Sequence, residues 1–145
     1  MALTSIERAA IAWECERLIH LYSMLNDAGD FDGMVELFTE DGVFARPSEG
    51  EVLIRGKAAI LQAYTSRPPR FTRHMITSVV VTVEDEDNAR AHSYLSLHTG
   101  QPGEGLPRPA EPVYFIGDFK DRFVREDGVW KFSERLGSLA LKVGH

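Results

Sequence analysis

The hydrophobic period of the chain changes once, at Pro68-Pro69. Before that point apolar residues recur at helical spacing; after it they alternate as along strands. Thr4 and Glu7 form a capping-box pattern, and Ile11, Cys15, Leu18, Tyr22 and Leu25 then follow on one helical face. Gly29 predicts the end of this helix. Asp30 is placed to cap a short second one, with Phe31, Met34, Val35, Leu37 and Phe38 on its apolar side. Two short strands are expected near residues 42–46 and 51–55, then a third helix over 57–64 with Ile60, Leu61 and Tyr64 inward. Two consecutive prolines cannot continue it.

Beyond them, residues 72–84 and 89–98 read as strands joined by a polar turn at Asp85–Asn88. Residues 99–112, rich in Gly and Pro, read as a loop or flap. Residues 113–125 and 129–139 read as a hairpin turning at Glu126-Asp127-Gly128. Helices first and meandering strands afterwards predict an α+β domain, its helices packed on one face of a curved antiparallel sheet.

Size and charge narrow the class further. With 145 residues the chain is expected to form one domain, 1–145. Sixteen Lys and Arg against 22 Asp and Glu leave a net charge of −6, which argues against nucleic-acid or anionic-membrane partners. No apolar run is long enough to span a membrane, and no secretory leader is visible, so a cytoplasmic location is expected. Cys15 is the only cysteine, consistent with a reducing compartment.

A sheet curling around helices encloses a space that is either filled or left as a pocket, so function turns on the polar residues directed into it. Tyr22 lies on the apolar stripe of the first helix. Asp27, five residues on, is about 140° further round, near the helix end. By itself Asp27 reads more readily as a solvated carboxylate beside a turn, since Asp is rarely buried. His74 opens the first long strand and alone reads as a structural histidine; with a carboxylate partner it becomes a general base. Its face of the strand would hold His74, Ile76, Ser78 and Val80, and both faces are apolar enough to be covered.

Arg135 reads as a surface arginine paired with a carboxylate, or as an anchor for an anionic or carbonyl group. Arg90, His92, Tyr94, Ser96 and His98 form one polar row, suited to a solvated sheet face or a wet dimer interface. A metal site is the weaker reading, because the chain offers no His-x-Glu, Cys pair or helical His pair. No nucleotide-binding loop or Gly-x-Ser-x-Gly is present, so no cofactor is implied.

Three stretches carry a resemblance. Ile19, Leu21, Tyr22, Asp27, Gly29, Asp30, Phe31 and Asp32, followed by Leu37, Phe38, Asp41 and Gly42, resemble the first helices of the SnoaL-like branch of the nuclear-transport-factor-2-like superfamily. Thr72-Arg73-His74-Met75-Ile76-Thr77 is similar to that branch's histidine strand. Asp121-Arg122-Phe123, Gly128–Ser133 and then Arg135 are similar to its closing hairpin. The resemblance implies a cone-shaped barrel of three helices on a strongly bent, mostly antiparallel sheet, commonly as a homodimer. It also implies an Asp27–His74 pair, with Tyr22 and Arg135 at further site positions. Asn26 and Ser78 stand where members of the branch carry other polar residues, and are the remaining candidates for substrate contact.

Two functions follow as expectations. One is a cofactor-free lyase or isomerase, dehydratase or cyclase in type, acting on a hydrophobic small molecule: His74 takes a proton, Asp27 orients it, Tyr22 donates a hydrogen bond and Arg135 anchors a polar end. The other is a non-catalytic ligand-binding or assembly module of the same fold. Hydrogen-bond contact between Asp27 and His74 separates them.

Overall fold

A computed structural model describes residues 2–145. Helix α1 spans Ser5–Ala28 and begins at the capping box: Thr4 Oγ1 accepts the Glu7 N–H, and Glu7 Oε1 accepts the Thr4 N–H, both at 3.1 Å. It ends at Gly29, whose φ of 74° a residue with a side chain adopts only at a cost. Its buried stripe is Ile11, Cys15, Ile19 and Tyr22, with Leu18 and Leu25 packed along the edge.

Asp30 caps α2 (Phe31–Val35) by accepting the Gly33 N–H at 3.0 Å. This helix is shorter than the apolar spacing predicts. Phe38 opens strand β1 (Phe38–Ala45) instead, where it pairs with Phe132 and packs at a tilt on its ring, the centroids 5.3 Å apart. A 3₁₀ turn at Pro47–Glu49 and a two-residue strand β2 (Ile54–Arg55) lead into α3 (Lys57–Thr65). The four long strands are β3 (Thr72–Val83), β4 (Asn88–Thr99), β5 (Tyr114–Glu126) and β6 (Val129–Val143). Asp127 and Gly128 turn the last hairpin with φ of 50° and 80°, the left-handed pair that a two-residue turn between twisted strands requires.

The six strands run in the order β2-β1-β6-β5-β4-β3. Only β1 and β6 are parallel; every other neighbouring pair is antiparallel. The edge strands β2 and β3 are not joined. The expected cone is therefore a bent open sheet closed over by helices, not a barrel.

Bulges supply the bending. In β3 the register shifts between Thr77 and Val80, where Ser78 has a φ of 54°. The extra residue turns the strand over. His74 and Ile76 face the helices before the bulge, and Val79, Val81 and Val83 do so after it. The run His74, Ile76, Ser78, Val80 is thus not one face: Ser78 and Val80 are exposed. Strand β6 carries two further shifts opposite β5.

The inner face of β4 holds Ala89, Ala91, Ser93 and Leu95, so the polar row from Arg90 to His98 lies outside. Between sheet and helices sits an aromatic core of Tyr22, Phe38, Phe44, Phe119, Phe123 and Phe132.

Candidate active site

The end of α1 meets the start of β3. Strand periodicity puts Thr72 and His74 on one face, and Asp27 reaches both from the last turn of the helix. His74 Nδ1 and Asp27 Oδ1 are 2.6 Å apart. Asp27 Oδ1 also accepts the Thr72 hydroxyl at 2.9 Å, and Oδ2 accepts the His74 backbone N–H at 2.9 Å. Burial works to raise the Asp27 carboxyl, but the bonds from the His74 ring and backbone, the His74 charge and the Thr72 hydroxyl outweigh it. The carboxyl sits below its ordinary value. An ionised Asp27 fixes the proton on Nδ1 and leaves Nε2 as the ring's free basic atom.

His74 lines a cavity of about 170 Å³ under the bent sheet. Its apolar lining is Leu95, Leu97, Phe115, Phe119 and Leu139, and Tyr22, Asn26 and Tyr64 line it as well. The hydroxyls of Tyr22 and Tyr64 share a hydrogen bond of 2.6 Å. Burial raises both phenols, that of Tyr22 well above its usual range. Both therefore keep their protons near neutral pH and serve as donors, not bases. A wider hollow of about 410 Å³ lies over His92 and Lys120 on the outer face of the sheet and includes neither Asp27 nor His74.

Arg135 is neither on the surface nor in the cavity. It is fully buried, opposite Asp121 across the β5–β6 ladder, and its Nη1 donates to Asp121 Oδ2 at 2.7 Å. Its guanidinium carbon lies 4.5 Å from the centre of the Tyr22 ring, 3.7 Å from Phe119 and 4.9 Å from Phe132. Burial pushes Asp121 up to about 6, against the pull of Arg135 and His92. Arg135 thus supports Tyr22 from behind the cavity wall and does not meet the cavity itself.

Of the residues singled out from sequence, Tyr22, Asn26, Asp27 and His74 come together, while Arg135 stands one layer back. Ser78 does not join them, because the bulge turns it to solvent. Sequence reasoning missed Thr72, Tyr64 and Asp121 as polar partners, and Arg46, Arg67 and Arg70 on the cavity wall. Asp121 had left a signal: it alternates in phase with Phe119 and Phe123, so it had to face the core. The three arginines had left none, since they come from a turn and a loop. Among the described residues no group of three or more His, Cys, Asp or Glu is gathered to hold a metal.

This architecture is that of a known family. The sequence matches the SnoaL-like domain over residues 7–136, and the chain belongs to that family. Its fold is similar to that of a protein provisionally named scytalone dehydratase from Novosphingobium aromaticivorans, with a TM-score of 0.81 at 20% identity, covering 98% of this chain and 92% of that one. A type 2 hexachlorocyclohexane dehydrochlorinase, LinA, gives 0.81 at 16% identity over 98% and 93%. A nuclear-transport-factor-2-like protein with a cystatin-like fold from N. aromaticivorans gives 0.69 at 24% identity over 87% and 79%. No curated protein matches the sequence significantly. At these identities the structural likenesses concern the fold.

Proposed function

We propose that the chain is a cofactor-free lyase or isomerase of the dehydratase or cyclase type, acting on a small hydrophobic molecule in the cavity beside His74. The observation that carries this reading is the 2.6 Å contact between Asp27 and His74, with the histidine on the cavity wall. His74 Nε2 removes an acidic C–H proton, and Asp27 stabilises the imidazolium that forms. The Tyr22–Tyr64 pair donates a hydrogen bond to the oxygen that gains charge or departs, and Arg135 polarises Tyr22 from beneath. The apolar wall excludes water and strengthens each of these interactions. Dehydratase and dehydrochlorinase names among the structural neighbours fit a reaction that starts by proton abstraction.

The test is turnover by His74→Gln against candidate substrates bearing an acidic C–H. Loss of about 10²–10⁴ in rate with an unchanged melting profile is expected, the usual contribution of a general base. A variant as fast as wild type removes His74 from the mechanism and favours a binding module.

The same reading includes a homodimer through the outer face of β3–β6. That face exposes Met75, Val80, Tyr94 and Leu141 around the His92–Asp118 contact of 2.6 Å. Such a mixture of apolar and polar groups suits a partly wet interface. Light scattering at micromolar concentration should give twice the mass of one chain, and a monomer mass overturns this part of the reading.

A further inference from the structure

Three arginines line the cavity of a chain whose net charge is −6. Arg46 lies between β1 and the 3₁₀ turn, and Arg67 and Arg70 flank Pro68-Pro69 after α3. The two prolines restrict the backbone between Arg67 and Arg70 and hold their spacing. Among the described residues neither has a carboxylate within 4.0 Å, and Arg46 meets only the Glu49 carboxylate at 3.9 Å. Among the described residues the buried Arg46 Nε has no partner, while Nη2 of the same guanidinium donates to the Ala63 carbonyl oxygen. The guanidinium carbons of Arg46 and Arg67 lie 5.6 and 4.8 Å from the centre of the Tyr64 ring, so the two charges share one aromatic support. Burial, with the charges of Arg46 and Arg70, pulls the Arg67 guanidinium below its usual value. Even so an arginine stays protonated, and among the described residues only the Glu49 carboxylate, 3.9 Å from Arg46, offsets the mutual repulsion.

Position adds the second half of the argument. Arg67 and Arg70 also line a neighbouring hollow of about 310 Å³, beside Asn26, Gly29 and Phe31. They therefore stand between the His74 cavity and an outer groove. The inner cavity, at about 170 Å³, is smaller than the ~300–1,000 Å³ usual for ligand pockets, so it suits a compact apolar group.

We propose that the substrate is an acidic small molecule: a compact apolar body lies against Leu95, Leu97 and Phe115 with its reacting C–H at His74, and a carboxylate or phosphate is held at the mouth by Arg67 and Arg70, with Arg46 behind them. This rests on the reading of the cavity as the catalytic site and names the class of molecule that site takes. Guanidinium groups bind both oxyanions through paired, charge-assisted hydrogen bonds, and their field draws such a molecule towards an otherwise acidic protein.

The test is calorimetric titration of the full chain with 3-phenylpropanoate, 2-phenylethyl phosphate and the neutral 3-phenylpropan-1-ol. At low salt at least one anion should bind about tenfold or more tighter than the alcohol, and the preference should shrink as salt is raised. The tighter of the two anions identifies the group the site was built for. Arg67→Gln/Arg70→Gln, altering two partly or fully solvent-exposed side chains, should lose about tenfold for that anion and leave the alcohol unchanged. Equal binding of acid and alcohol, no millimolar binding of either anion, or full anion affinity in the double variant overturns the proposal. His74→Gln separates it from the catalytic reading, because that variant should keep the anion preference whether or not it turns over substrate.

Discussion

The Asp27 carboxylate is held by two residues of β3. Three bonds of 2.6–2.9 Å, from the Thr72 hydroxyl and the His74 ring and backbone, hold one carboxylate. The same contacts that orient the histidine also pin α1 to the sheet, so Asp27 has a structural task beside the chemical one proposed for it. The consequence for pH follows from sign. A carboxyl lowered by folding contributes stability that is complete above the ordinary carboxylate range near 4 and is lost as pH falls through the lower folded value. Urea unfolding should therefore show wild type more stable than Asp27→Asn at neutral pH, and the difference should shrink below about pH 4. A gap that persists unchanged in acid would mean that the carboxylate charge contributes nothing to the clamp.

At the scale of elements, the site depends on irregularities. Without the bulge at Ser78, strand alternation would direct Ser78 and Val80 inward and leave Val79, Val81 and Val83 to solvent. Ser78 tolerates its φ of 54°, whereas a β-branched residue there is strained. Ser78→Val should cost about 1–2 kcal/mol in denaturant unfolding, and Ser78→Gly should not destabilise. Equal stability of the valine variant would show that the bulge is not held in this conformation. Close approach also matters at Gly137, where a Cβ would stand 2.7 Å from Pro47. That contact seats the 3₁₀ turn on β6 and brings Arg46, Pro47 and Ser48 to the cavity wall.

Across the whole molecule, the Arg135–Asp121 pair joins the layers. Both side chains are fully buried, the guanidinium lies against the ring of Tyr22 from α1, and Arg135 Nε and Nη2 have no hydrogen-bond partner among the described residues. Removing one charge leaves the other buried and unpaired. Asp121→Asn should therefore lower stability by about 3–5 kcal/mol at pH 7, and Asp121→Leu/Arg135→Met should recover most of it. Denaturant midpoints of the three proteins decide this; a single variant as stable as wild type would remove the pair from the account of stability. Because burial lifts Asp121 to about 6, the folded protein holds a proton that the unfolded chain has released between about pH 4 and 6. The contribution of this group accordingly declines as pH rises across that window.

The helices, their caps and the turn at Asp127-Gly128 were legible in the sequence because each rests on local chemistry: a side chain meeting a backbone group three residues away, or a backbone angle that glycine permits. The family resemblance extended this to the Asp27–His74 pairing, which periodicity alone left open. Tertiary structure decided the rest. Phe38 left its helix because pairing with β6 buried it better than another helical turn. Arg135 went to the core because Asp121 faced it across the ladder, a register that no spacing within one strand reveals. Ser78 turned outward at a bulge with no glycine to announce it, and three arginines met at one cavity from segments distant in sequence. Local rules act over a few residues, whereas strand order, bulges and the meeting of loops are set by which surfaces can be buried together. Only the folded chain makes that choice.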